Sequence, residues 1–161
     1  MMRIRLFSWL ILLACGAIPV VATAQAAPPR MQIDGDTQVM LAAMQKVMQR
    51  DFRGAEELYG KAIAINPGNI EAWLQRALMR RELNDAAGTA ADARQVVLLA
   101  NRALALRPND ANLYYHRGMG YRFLRDFPDA ERDIARAIRM SGQESWKTDL
   151  QATELEEKEA Q

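Results

Sequence analysis

The sequence is poor in the side chains that most enzymes and metal sites use. Its 161 residues include one cysteine, Cys15, and one histidine, His116. A disulfide framework needs paired cysteines, and a structural zinc site needs several cysteine or histidine ligands, so neither is expected. The sequence also has no glycine-rich phosphate loop and no Gly-x-Ser-x-Gly nucleophile turn. We therefore expect a protein that is not an enzyme and that needs no metal or cofactor.

An excess of charge of one sign is also missing. The chain has 21 basic and 20 acidic side chains, which gives a formal net charge of +1. Proteins that bind nucleic acid usually carry a clear excess of basic residues, so no nucleic-acid partner is expected. Hydrophobic residues make up 50% of the chain and charged residues 25%, which is ordinary for a folded domain. The length suits one domain rather than two.

The first 26 residues differ from the rest of the chain. Arg3 and Arg5 precede an apolar run, and the small residues around Ala24 and Ala26 offer two cleavage positions. A basic start, a short apolar core and a small-residue exit predict a secretory signal peptide over residues 1–26. A retained membrane anchor is the alternative, but the run is shorter than the ~20 residues of a spanning helix. We expect a secreted protein, in a bacterial periplasm, with no membrane span after cleavage.

Cys15 leaves a second form of processing open. Residues 12–15 (Leu-Leu-Ala-Cys) resemble a lipoprotein signal, in which the cysteine is acylated and becomes the new N-terminus. Against this, Leu13 stands where such signals carry a small residue, and the chain stays apolar beyond the cysteine. Lipidation is therefore kept as the alternative to ordinary cleavage. Residues 27–35, with Pro28-Pro29, predict an extended linker.

Two later stretches of the chain align with each other. Residues 51–55 (Asp-Phe-Arg-Gly-Ala) and 126–130 (Asp-Phe-Pro-Asp-Ala) share Asp-Phe and an alanine three residues after the phenylalanine. Two similar helix-stop turns, Asn-Pro-Gly-Asn at 66–69 and Arg-Pro-Asn-Asp at 107–110, also match. The pattern resembles the tetratricopeptide repeat, a pair of antiparallel helices of about 34 residues with small residues at fixed positions.

The resemblance implies an all-α fold, a right-handed α-solenoid of three helix pairs plus a C-terminal capping helix. The repeats would span residues 36–69, 70–110 and 111–144, and residues 145–161 would form the capping helix, anchored by Trp146, and an acidic tail. Small residues are expected where the helices cross closely. They are Ala43, Ala55, Ala62, Ala77, Ala103, Gly118, Ala130 and Ala137.

The second repeat is seven residues longer than the other two. We place this insertion between its two helices, near residues 84–90, where it predicts a longer loop. Thr89, with Asp92 three residues later, resembles the N-cap of a slightly longer second helix. A loop there is either a tolerated bulge or a binding feature, and the sequence leaves both open.

Position seven of the repeat, usually leucine in this family, departs from the pattern. It holds Ala42, Arg76 and Arg117. Acidic residues on the second helices fall in phase with the repeat, which predicts solvent-exposed faces and not paired catalytic carboxylates. These acidic residues are Glu56, Glu57, Glu131 and Asp133.

The resemblance also implies a binding surface, because the first helices of such repeats line a concave groove that holds other proteins. Carried over position by position, the groove residues are Met40, Met44, Met48, Leu74, Leu78, Arg81, Tyr115, Met119, Arg122 and Phe123. The three methionines recur every four residues and form one stripe along a helix. Methionine adapts to irregular apolar surfaces, so we expect an exported scaffold whose partner is a protein or peptide with an apolar or amphipathic segment.

Two alternatives to partner binding stay open, because an exposed apolar stripe can also be covered by the chain itself. Residues 27–35 could lie on it, or a second copy could pair with it and make a homodimer. Some family members hold acidic chaperone tails with a clamp of Lys, Asn and Arg. No such clamp is expected here, because its positions hold Met40, Met44, Gln75, Asn112 and His116.

Overall fold

The computed structural model describes residues 35–161, which form seven α-helices and no strand. The helices are α1 (Gly35–Met48), α2 (Phe52–Ile65), α3 (Ile70–Glu82), α4 (Ala86–Leu106), α5 (Ala111–Phe123), α6 (Phe127–Ser141) and α7 (Trp146–Ala160). The predicted signal peptide over residues 1–26, with Cys15, and the predicted linker up to residue 34 lie outside the described residues. The last residue assigned to that linker, Gly35, is the first residue of α1.

The helices pack in chain order, each against the next, and α3 also contacts α5. The pairs α1–α2, α3–α4 and α5–α6 follow one another, and α7 packs on α6 at the end of the stack. This confirms the predicted all-α solenoid of three helix pairs with a capping helix. Within residues 35–161, none of the helices has the length and apolar character that a membrane span requires.

The same tight turn joins the two helices of every pair. One residue in each turn has a left-handed backbone and an aspartate follows it. The left-handed residues are Arg50, Asn84 and Arg125, with φ of 59°, 61° and 62°. The Asp51 side chain accepts a hydrogen bond from the Gly54 N–H at 2.9 Å, and Asp85 accepts one from the Gly88 N–H at the same distance. These N-caps satisfy a backbone donor at the start of α2 and of α4.

The longer loop predicted near residues 84–90 is wrong. Helix α4 begins directly after Asp85, and Thr89 lies inside it, where its hydroxyl donates to the Asp85 carbonyl oxygen at 2.8 Å. The insertion instead lengthens α4 to 21 residues, against 14 in α2. Because seven residues are close to two helical turns, the longer helix keeps its buried face in phase. The Asp-x-x-Gly of residues 51–54, repeated at 85–88, marks the turn in the sequence.

Small residues bring the helices together at the predicted crossings. The fully buried alanines among them are Ala43, Ala55, Ala62, Ala77, Ala130 and Ala137. Ala103 is only half-buried, and Ala100, nearly one turn earlier on α4, is fully buried. The closest approach is at Gly118, where a Cβ atom would lie 2.7 Å from Ile134 Cγ1 and 3.0 Å from the Ala130 carbonyl oxygen. A side chain at Gly118 would therefore push α5 away from α6.

The arginines at position seven of the second and third repeats form equivalent ion pairs, one inside each helix pair. Arg76 donates to both carboxylate oxygens of Asp92 at 2.9 and 2.7 Å, and Arg117 donates to both of Asp133 at 2.6 and 2.9 Å. Both aspartate side chains are 2% exposed. The expectation that Asp133 faces solvent is wrong, because its carboxylate has a guanidinium partner within the helix pair. Glu57 is exposed as expected, whereas Glu56 and Glu131 are half-buried.

A candidate protein-binding groove

The structure divides the predicted groove residues into three groups by exposure. Met44 and Met48 are 54% and 85% exposed, and the Arg81 side chain is 41% exposed. The half-buried residues are Met40, Leu78, Tyr115 and Phe123. The buried residues are Leu74, Met119 and Arg122. The exposed methionines lie on α1, so the accessible apolar part of the groove is at its first helix.

The methionine end of the groove is a cavity of about 310 Å³ lined by residues of α1, α2 and α3. The stripe forms its apolar wall, and Tyr59, which is 1% exposed, lies at its base. Burial raises the pKa of the Tyr59 hydroxyl above its usual value. Met40 is held in place because the Asn69 side-chain amide donates to its sulfur at 3.2 Å. Met44 and Met48 extend beyond it toward solvent.

Glu71 marks the boundary between the methionine end and the rest of the groove, because it lines the cavities on both sides. One of its carboxylate oxygens lies 2.9 Å from His116 Nε2 on α5, and the other accepts from the Gln75 side-chain amide at 2.6 Å. The hydrogen bond with His116 holds the pKa of Glu71 below the ordinary glutamate value. This contact ties α3 to α5 across the groove.

The second end of the groove lies between α3, α5 and α7, in a cavity of about 300 Å³. Leu74 and Met119 are 6% and 8% exposed; they line this cavity and also pack with Val96 and Ile134 in the core. Their role in partner binding stays a prediction. At the rim, the Arg81 guanidinium lies over the Phe123 ring, 5.1 Å from its centre.

Helix α7 closes this second end, and the sequence analysis missed that contact. The rings of Trp146 and Tyr115 stack at 4.4 Å between centres, and the Tyr115 hydroxyl donates to Asp149 at 2.9 Å. Burial, and then the charge of Asp149, raise the pKa of Tyr115. Arg122 donates to both carboxylate oxygens of Glu156 at 2.6 and 3.2 Å. Arg122 was assigned to the open groove, but α7 buries it to 7% exposure.

A third cavity, of about 480 Å³, adjoins the end of α7. Three arginines line it: Arg81, Arg122 and Arg125. Glu156 is the single acidic residue in its lining, and its carboxylate lies 3.7 Å from Arg81 as well as against Arg122. The local charge of this lining is therefore positive.

The sequence has a relative in the mouse. The chain is 30% identical over 113 residues to mouse tetratricopeptide repeat protein 36, and the match covers 70% of this chain and 59% of that protein. The chain thus spans less than two thirds of the length of this relative. No family model matches the sequence.

Solved structures with low sequence identity share the architecture. The Sgt2 tetratricopeptide-repeat domain of Aspergillus fumigatus matches with a TM-score of 0.55 and 18% identity, over 80% of this chain and 82% of that chain. The first such domain of Spaghetti (RPAP3), bound to the HSP90 peptide SRMEEVD, matches with a TM-score of 0.52 and 17% identity, over 74% and 90% of the two chains. The chain has a tetratricopeptide-repeat fold. Its groove is lined by the first helices of the three pairs, α1, α3 and α5, with residues of α2 and α7.

Proposed function

We propose that this tetratricopeptide-repeat chain is a non-catalytic scaffold that binds a partner protein or peptide at the methionine end of its groove. The observation that carries the proposal is the exposure of Met44 and Met48 beside an apolar cavity of about 310 Å³. Exposed methionines on a concave surface are costly in water and suit an apolar ligand. The Spaghetti domain, which shares the fold, was solved with a bound peptide.

The chemistry of this end favours an apolar or amphipathic segment over an acidic one. The cavity wall presents methionine side chains, and Glu71 contributes a negative charge at its edge. An amphipathic helix could place apolar residues from successive turns against the stripe and keep its polar side in water. The cavity is lined by no basic residue, so a partner that relies on carboxylates would find no counter-charge there.

Partner capture with a groove variant tests the proposal. Met44→Glu/Met48→Glu changes two exposed side chains and should leave the helices intact, but it should weaken partner binding by at least about tenfold. The matched control is Leu106→Glu, which changes an apolar residue that is 84% exposed on α4, outside the groove. The tagged proteins are purified from the native cell, co-purifying proteins are quantified by mass spectrometry, and circular dichroism verifies the fold. A partner that the double variant retains as well as the control does would refute the groove assignment.

Self-association is the second candidate function, and one observation favours it. Leu41 on α1 and Ile65 on α2 are 48% and 56% exposed, so the first helix pair exposes apolar side chains outside the groove as well. A second copy could cover this open end of the solenoid. Sedimentation velocity at micromolar concentration distinguishes self-association from a monomeric scaffold. A dimer that Leu41→Glu converts to a monomer would support self-association, and a wild-type monomer would exclude it at that concentration.

We also propose that the protein is exported, because residues 1–26 have the pattern of a cleaved signal peptide. The intact mass of the protein purified from the cell envelope tests this. Cleavage predicts a mass that begins after Ala24 or after Ala26. A mass that begins at Cys15 and includes acyl chains would favour the lipoprotein alternative, and an uncleaved chain in the cytoplasm would contradict export.

A further inference from the structure

The arginine-lined cavity beside α7 differs in chemistry from the methionine end, because its lining is basic rather than apolar. Arg81, Arg122 and Arg125 line a space of about 480 Å³, and Glu156 is the single carboxylate in its lining. Arg122 is 7% exposed and pairs with this carboxylate through two nitrogens. Arginine is suited to such paired contacts because its planar guanidinium matches a carboxylate. A carboxylate of the chain itself therefore occupies the cavity.

The carboxylate that occupies the cavity sits on a part of α7 that has no fully buried residue. Of the 15 residues of the helix, Trp146 and Thr153 are the buried ones, and both precede Glu156. The end of the helix is crowded with acid, since residues 154–159 contain four glutamates. Negative charge at a helix C-terminus is unfavourable because it adds to the negative end of the helix dipole. Burial, and then the charge of Glu157 on α7, raise the pKa of Glu131 on α6.

We propose that the C-terminal end of α7, residues 154–160, is an internal ligand of the arginine-lined cavity, which an acidic segment of a partner protein replaces. Glu156 holds Arg81 and Arg122 until a stretch of chain with several carboxylates competes for them. The inference rests on the proposed scaffold function and deepens it, since a partner with an apolar part and an acidic part would engage the methionine end of the groove and the arginine-lined cavity. Trp146 remains packed in the core with Leu104 and Tyr114 during this exchange.

The acidic segment competes by mass action with a ligand that is always present. A covalently attached Glu156 lowers the fraction of chains with a free cavity, and the apparent affinity for the partner falls by the same factor. Loss of this one carboxylate should therefore strengthen binding in trans, even though it removes an ion pair. A merely structural contact would give the opposite result, because its loss would only loosen α7.

A labelled peptide with the sequence of residues 149–161 is the probe, measured by fluorescence anisotropy against the full chain. Glu156→Gln should bind it at least about fivefold more tightly than wild type. Glu159→Gln, the same change at an exposed residue one turn away, should bind it as wild type does. Arg81→Gln in the Glu156→Gln background should reverse the gain, and raised salt should weaken binding. Circular dichroism checks that each variant is folded.

Several outcomes would overturn the inference. Equal probe affinity for the Glu156→Gln and Glu159→Gln chains, or no binding by either, would mean that Glu156 does not compete for the cavity. Binding of oligo-uridylate as tight as that of the peptide would mean a general polyanion site and not one for acidic protein segments. Hydrogen exchange adds a measurement without substitutions: amides of residues 154–160 should exchange faster at high salt, whereas those of α6 should not. Protection as strong as that of α6 at every salt concentration would make α7 a permanent cap. Each failure would leave the methionine end, tested through Met44 and Met48, unaffected.

Discussion

Replacing Arg117 with leucine should be among the most damaging single changes to this fold, although it restores the residue most common at that position of the repeat. The change leaves the Asp133 carboxylate, 2% exposed, without the guanidinium that donates to both of its oxygens. Breaking a buried pair by removal of one partner costs about 3–5 kcal/mol, because an uncompensated charge stays in the core. Arg117 also donates to Asn101 at 2.7 Å, so a second contact is lost with it.

The double variant Arg117→Leu/Asp133→Leu should recover most of that loss. Replacing both members of a buried pair with apolar residues is often neutral or stabilising. The chain provides its own precedent, because the first repeat has Ala42 and Leu58 at the same two positions and folds without the pair. The coupling energy between the two sites should therefore be on the order of 3 kcal/mol, larger than for an exposed pair.

Urea denaturation followed by circular dichroism measures these free energies. With a slope of about 2 kcal/mol per M, a loss of about 4 kcal/mol lowers the midpoint by about 2 M. Arg132→Leu is the matched control, since the Arg132 side chain is 63% exposed and pairs with Asp129 on the surface. Its cost should be below about 1 kcal/mol. If Arg117→Leu costs no more than Arg132→Leu, or if the double variant is no more stable than the single one, the reasoning fails.

Two further predictions concern packing and pH. Gly118→Ala should destabilise the fold by about 1–3 kcal/mol, because the new Cβ atom meets Ile134. At Gly60 the nearest atom to a new Cβ lies 3.6 Å away, so Gly60→Ala should stabilise the fold by up to about 1 kcal/mol. Equal urea midpoints for the two variants would contradict this. The pKa of Glu71 is lower in the folded chain than in the unfolded one. Its ionised carboxylate therefore stabilises the fold at a pH above the ordinary glutamate pKa, and this contribution is lost as the pH falls through the folded pKa. Glu71→Gln should therefore flatten the decline of the unfolding free energy between about pH 5 and 3, and a decline parallel to that of wild type would show that the contact with His116 contributes nothing.

The fold could be predicted because the small residues of the repeat pattern mark the places where helices cross. Alanines such as Ala43 and Ala137 occupy places where a larger side chain would separate two backbones, so the sequence cannot vary freely there. The insertion was misplaced because length alone does not show which element absorbs extra residues. A helix can take seven residues without rotating its buried face, so α4 lengthened while the turn at Asp85 kept its form.

The ion pairs were missed because each arginine was considered alone. Arg76 and Asp92, like Arg117 and Asp133, are separated by 16 residues, and the common spacing predicts contact across a helix pair. A charged residue at a core position of one helix needs an opposite charge at the facing position of the next. A search for such a partner one helix later would have found both aspartates.

The exposure of the groove residues could be predicted only in part. The positions carried over from the family identify a surface, but they do not show which other elements of the chain cover it. Met44 and Met48 lie at the start of the stack, where no described helix precedes α1, and they are exposed. Arg122 lies near its end, where α7 follows and covers it. Asp149 and Glu156 are seven residues apart and therefore on one face of α7, and both carboxylates lie near Arg122, at 3.8 and 2.6 Å.

The position along the stack thus determines the chemistry of each end of the groove. Within residues 35–161 no repeat precedes the first helix pair, so Met44 and Met48 are exposed there, and the proposed apolar partner would bury most apolar surface at that end. At the last pair the chain supplies a covering helix, and the buried charge of Arg122 is balanced there by Glu156 at 2.6 Å, with Asp149 at 3.8 Å. Any segment that displaces Glu156 must satisfy the same guanidinium, because a bare buried arginine would be costly. The requirement that makes α7 acidic is therefore also the requirement that selects an acidic competitor.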